Sequence, residues 1–199
     1  MQILYEILKN VLGFLSGAGL ILYSQSRQHK RLIDAKNKSV QVEMECELEQ
    51  LKSSIIDIAR VVTDIAINKK DAPDISLCIP AKRSIILLEK NIEEIYLDAK
   101  CNSRKRIKPI LLFFSSLEAI RNKIQEDSAN FINEKKSYYN GGMDYARLNV
   151  KYIRYACGAA VNIRAYIDNK DLGTGDKEHA ISFCRELNVN YEELNKLLE

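Results

Sequence analysis

From Met44 to Ile65 the apolar residues Met44, Leu48, Leu51, Ile55, Ile58, Val62 and Ile65 follow one another in steps of four and three. Only a helix gathers such positions onto one stripe, because residues three and four apart share a helical face. The spacing is that of a heptad seam. Ile56, Ala59, Val61 and Ala66 widen the stripe beyond what a two-stranded coil needs, so this half of the helix is expected to enter a multi-helix core. A helix is predicted from about Leu32 to Asn68. Glu43, Glu45, Glu47 and Glu49 in its first half read as the solvated surface of a stalk.

A second stretch sets where such a core is held. Between Val11 and Tyr23 only Ser16 is polar, and a cationic collar follows: Arg27, Lys30, Arg31, Lys36 and Lys38 against the single acid Asp34. A membrane-spanning helix needs about 20 mostly apolar residues. That length is reached only by extending back to Ile3, which brings in Glu6, Lys9 and Asn10. Gly13, Gly17 and Gly19 would each cost a water-exposed helix close to about 1 kcal/mol relative to Ala. In a membrane the Gly13-xxx-Gly17 spacing instead lets two helices approach closely. With the cations behind the apolar run, the positive-inside rule puts the rest of the chain in the cytoplasm. A cleaved signal peptide wants its positive charge ahead of the run, and here it comes after.

Composition supports helices throughout. The 199 residues include 8 Gly, 3 Pro and no Trp, with 46% hydrophobic and 29% charged residues, the balance of a folded chain. A net charge of +3 is too small for a general basic field, so any polyanion contact must come from local clusters. Cys46, Cys78, Cys101, Cys157 and Cys184 show no CxxC or Cys/His spacing. Neither a zinc site nor an oxidised framework is expected, and the thiols read as small buried groups.

Further helices are predicted from Pro80 to Cys101 (Ile85, Leu88, Ile92, Ile95, Ala99) and from near Pro109 to about Tyr138, stopped by Asn140-Gly141-Gly142. Another runs from Asp144 to Asp168, where the small residues Ala156, Gly158, Ala159 and Ala160 allow close neighbours and a central position. A last segment passes through Ala180, Phe183 and Leu187, and Asn190 with Glu193 reads as a capping box. The expected fold is all-α: an N-terminal hydrophobic membrane helix (1–26), a basic collar and helical stalk (27–43), and an antiparallel four- or five-helix cytoplasmic bundle (44–199).

The candidate sites are clusters of charge. Arg104, Lys105, Arg106 and Lys108 fall in a stretch without acids, read as a basic turn at the collar end of the bundle, facing an anionic leaflet. Arg147, Lys151 and Arg154 form a stripe interleaved with Tyr145, Tyr152 and Tyr155, the pattern that tracks phosphates and stacks bases. His29 and His179 have no spaced ligand partners, Asp168 to Gly173 fails as a calcium loop at Lys170 and Leu172, and no catalytic motif, metal or cofactor is expected. The expectation is a single-pass module at the inner (cytoplasmic) membrane that binds a protein partner, with a homo-oligomer through anchor and stalk. Membrane regulators, scaffolds, and bacterial or phage exclusion and defence components share that layout. The alternative is a soluble cytoplasmic helical protein that binds nucleic acid through residues 100–108 and 147–154.

Overall fold

The structure, a computed structural model, describes residues 2–67, 79–83, 86, 88–90, 101–134, 138–172 and 176–197. Every regular element among them is an α-helix: α1 (Gln2–Ile67), α2 (Cys101–Glu134), α3 (Tyr138–Ile167), α4 (Asp176–Glu186) and α5 (Tyr191–Leu197). Residues 86 and 88–90 are also helical.

α1 runs 66 residues without a proline, a rod about 100 Å long at about 1.5 Å per residue. The apolar run, the collar and the stalk are thus one continuous helix. All seven seam residues from Met44 to Ile65 are buried, and Ile33 and Val40 continue the stripe towards the N-terminus. Burial therefore begins ahead of the expected bundle start.

The centre of the bundle is α3, which packs against α1, α2, α4 and α5. Its residues Ala156, Cys157, Gly158, Ala159 and Ala160 are consecutive and all buried, so the helix is enclosed on several sides at its middle. Small side chains make this possible. A Cβ added at Gly158 would stand 2.6 Å from Cζ of Phe113, so the Phe113 ring lies directly on the α3 backbone. Tyr155 meets the same ring edge-on, with centroids 6.1 Å apart. The helical cost of a glycine is accepted because α2 could not otherwise approach.

Long-range bonds set the helix directions. Arg83 reaches Gln50, and the Leu88 amide donates to Glu43, so Arg83 and Leu88 sit on α1 in reversed order. Arg121 of α2 donates to the Pro80 carbonyl, which puts Arg121 near the level of Gln50. α3 returns against α2, as the pairing of Arg106 with Asp171 and of Phe113 with Gly158 requires.

Several sequence expectations need correction. Among the described residues no helix is long and apolar enough to cross a membrane. The apolar run is short, and charged and amide side chains dilute it wherever it is extended. Residues 101–108 form the opening turns of α2 rather than a turn between helices, with Pro109 inside the helix. Pro80 does not begin a helix, since residues 79–83 have no regular structure. Gly141 and Gly142 lie within α3 and do not stop a helix. The helix stops fall instead at Asn169 (φ 55°) and Asn188 (φ 57°). Each is followed by an amide that bonds back to the helix, Lys170 N to Ala165 O and Val189 N to Cys184 O, both at 2.9 Å. Asparagine tolerates this left-handed conformation better than most residues. Residues Lys69 to Cys78, Ile85, Ile92, Ile95 and Ala99 lie outside the described residues.

The capping box forms: the Glu193 amide donates to Asn190 Oδ1 at 3.2 Å, and the Asn190 side-chain amide donates to Glu193 Oε2 at 3.1 Å. The cysteines depart from expectation. Cys157 and Cys184, with Cα atoms 6.4 Å apart, pair as a disulfide between α3 and α4. Their separation of 27 residues corresponds to about 3–4 kcal/mol in the chain-entropy picture. Helix crossing, not sequence spacing, brings them together. Cys46 is free and exposed.

The two halves of α1 should respond differently to truncation. Ile55→Ala, at a fully buried position, should cost about 2–5 kcal/mol in urea unfolding. Leu22→Ala, at an exposed one, should change stability by under about 0.5 kcal/mol. Gly158→Ala should destabilise by about 1–3 kcal/mol through overpacking. Combining it with Phe113→Ala should cost less than the sum of the two single changes, and additivity would contradict the close approach.

Candidate functional surface

Two regions depart from an ordinary solvated bundle: the uncovered half of α1, and a polar ladder inside the bundle.

On α1, Phe14, Leu20, Ile21, Leu22 and Tyr23 are between 60% and 76% exposed. A water-facing helix ordinarily carries polar residues there, and a contiguous apolar patch of this kind marks a surface that meets something else. Gly13, Gly17 and Gly19 have open space around them, with no atom within 4 Å of an added Cβ. Arg27, Lys30 and Arg31 are exposed in the next turns, and so are Lys38 and His29. The structure thus keeps apolar run and collar together as neighbouring bands on one projecting rod.

The second region was not foreseen. Glu43, Glu47, Gln50 and Ser54 repeat the steps of four and three one residue ahead of Met44, Leu48, Leu51 and Ile55. They therefore form a polar stripe flanking the apolar seam, and only part of this glutamate-rich stretch is solvated: Glu45 and Glu49 face water, while Glu43 and Glu47 are half-buried. Arg83 enters beside them. Its side chain is 7% exposed and its Nη1 lies 3.7 Å from Glu47 Oε2. Nη1 also donates to Gln50 Oε1 at 2.7 Å, and Nη2 to the Gln50 carbonyl at 3.2 Å. From α3, the buried Tyr152 hydroxyl faces Arg83, Ser54 and Glu47.

This ladder is incompletely satisfied. Glu47 Oε2, Arg83 Nε and the Tyr152 hydroxyl are buried without a hydrogen bond in good geometry. Burial pushes the Glu47 carboxyl up, Arg83 pulls it down and Glu43 adds a further rise. The Tyr152 hydroxyl is also raised, chiefly by burial. A buried ion pair with unmatched atoms contributes little net stability but fixes which faces meet. The signal that could have revealed it is the polar repeat parallel to the seam.

The basic residues at the start of α2 divide by role. Arg106 turns inward, pairing with Asp171 at 2.9 Å and bonding Asn169, so it ties α2 to the end of α3. Burial raises the Tyr166 hydroxyl beside it, against a lowering by Arg106. Lys105 and Lys108 are exposed, and Arg104 belongs to the first helical turn. The other cationic stripe keeps its charges but loses its rings. Arg147, Lys151 and Arg154 are exposed, with Arg147 3.1 Å from Asp144. Tyr145 and Tyr152 are buried in the core, and half-buried Tyr155 packs on Phe113. Tyr145 and Tyr152 thus turn away from the cations, and Tyr155 is engaged with Phe113.

An open groove of about 730 Å³ lies between α1 and the C-terminal segment, with Arg60, Asp64 and Glu193 on a floor of Ile56, Ala59 and Leu194. Among the described residues no three His, Cys, Asp or Glu side chains converge as a metal set. Comparison with known proteins gives no match: no family model fits the chain, and neither a curated protein nor a solved structure resembles it.

The ladder yields a pH prediction. A carboxyl with a raised folded pKa holds its proton more tightly when folded. Its contribution is present at acid pH and lost as pH rises from 4.5 through the folded value. Glu47→Gln should flatten that fall in urea unfolding. Arg83→Met, which strands the Glu47 charge, should cost about 3–5 kcal/mol at neutral pH and less near pH 4.5. An equal loss at both pH values would contradict the role given to Glu47.

Proposed function

We propose that this protein is a membrane-associated helical module: the N-terminal half of α1 anchors it to a bilayer and the bundle presents a docking surface to a protein partner. The observation that carries the reading is the exposed apolar set Phe14, Leu20, Ile21, Leu22 and Tyr23 followed by the exposed collar Arg27, Lys30 and Arg31. An apolar helical band entering the headgroup region gains free energy in proportion to its buried area, and neighbouring cations add attraction to anionic lipid. The mechanism is positional, since confinement to a surface raises the effective concentration of the bundle for anything held there. The segment is read as lying in the interface, since no helix among the described residues is long and apolar enough to cross a membrane. The cytoplasmic orientation rests on the order of apolar run and collar. No reaction is assigned, because no nucleophile with a placed base emerges among the described residues.

Fractionation tests this reading. The full chain should pellet with anionic vesicles, whereas a chain starting at Leu32 should stay in the supernatant with strong helical circular dichroism. If the full chain floats free of vesicles, the anchoring reading fails. If the shortened chain loses its fold, residues 2–31 belong to the core instead. Resistance of pelleting to alkaline carbonate separates an inserted helix from one held at the surface by charge.

A further inference from the structure

Beside the first turns of α2 lies a groove of about 490 Å³, bounded by Lys105, Lys108, Pro109, Leu112, Phe113 and Tyr155. Its floor is apolar and includes Leu112, which is 60% exposed with nothing described over it. Its cations are confined to one end, since Lys105 and Lys108 precede the apolar residues along α2. Neither lysine is paired with a described carboxylate, in contrast to Arg106 between them, which Asp171 and Asn169 occupy. Lys105 and Lys108 are three residues apart and Leu112 is four further on, so all three share one helical face. Pro109 lacks an amide hydrogen, which leaves the Lys105 carbonyl without its helical partner and loosens α2 at this point.

We infer that this groove binds one anionic phospholipid, its phosphate between Lys105 and Lys108 and its acyl chain along Leu112, Phe113 and Tyr155. The match is one of charge and shape: two cations at one end of an apolar trough suit an amphiphile with one negative head and a hydrocarbon tail. A nucleic acid would leave the trough empty, and a neutral lipid would leave both lysines without a counter-charge. The identity of the occupant as a membrane lipid rests on the anchoring reading, whereas the groove itself does not. The bound lipid gives the bundle a second, headgroup-selective contact, so the protein distinguishes anionic from zwitterionic membrane.

The test uses short-chain lipids dispersed as monomers, so that no bilayer is needed. The full chain is titrated with dihexanoyl phosphatidylglycerol and with dihexanoyl phosphatidylcholine below their micellar concentrations, following the Phe113 and Tyr155 ring resonances. The anionic lipid should shift both rings and bind at least about tenfold tighter, the weight of roughly 1.4 kcal/mol of headgroup contact. Lys105→Glu with Lys108→Glu should abolish that preference, and Lys105→Arg with Lys108→Arg should retain it. Equal binding of the two lipids, shifts at rings elsewhere, or a preference untouched by the glutamate pair would overturn the groove assignment. Pelleting of the same glutamate variant with vesicles keeps the two readings apart. Loss of monomer-lipid selectivity with pelleting retained separates groove from anchor, and absence of pelleting beside intact monomer selectivity sinks the anchor alone.

Discussion

The bundle coheres through α3. α1 and α2 lie on either side of it and meet chiefly by way of it, while α4 and α5 close over the remaining face. A helix enclosed this fully must present small residues wherever a neighbour comes close, and the buried run Ala156 to Ala160 does so. Gly158 is the limiting case, because the Phe113 ring occupies the space its side chain would need. Tyr145 and Tyr152 fill the volume ahead of that run, and the disulfide from Cys157 secures α4 at the same level.

Against that centre α1 behaves as two helices in one. From Ile33 to Ala66 its stripe is buried among other helices, and each Ile or Leu withdrawn from water contributes about 1.5–3 kcal/mol. From Phe14 to Leu32 the same rod carries comparable side chains in the open. No change of secondary structure separates them; what differs is whether another element lies alongside. That contrast between an uncovered band and a long buried stripe on one rod is why function is sought there.

Polar residues do two kinds of work in this structure. Glu47, Arg83 and Tyr152 form a buried, partly unmatched ladder that selects how the segment from Arg83 onward sits on α1. Arg106 and Arg164 bind across elements, the latter reaching Glu186 at 2.8 Å and covering the Phe183 ring at 4.7 Å. Lys105 and Lys108 have no such duty among the described residues and stay exposed.

Helical class, the buried seam of α1, the centrality of α3 and the cap at Asn190 were all legible in the residues, because each depends on spacing within one helix. Helix limits were less so. The Gly141-Gly142 pair looked like a stop, yet Asn169 and Asn188 made the stops, since a left-handed residue forms only where the chain must turn to pack. Local pattern could show that Glu43 and Glu47 share a face but not that Arg83 would cover it. It could show that Tyr145 and Tyr152 alternate with arginines but not which side would meet the core. The joining of Cys157 to Cys184 was equally hidden. Periodicity within a helix follows from 3.6 residues per turn and is written in the chain. Which face finds a partner, and which is left to water or lipid, depends on elements far apart in sequence, so tertiary packing alone decided it.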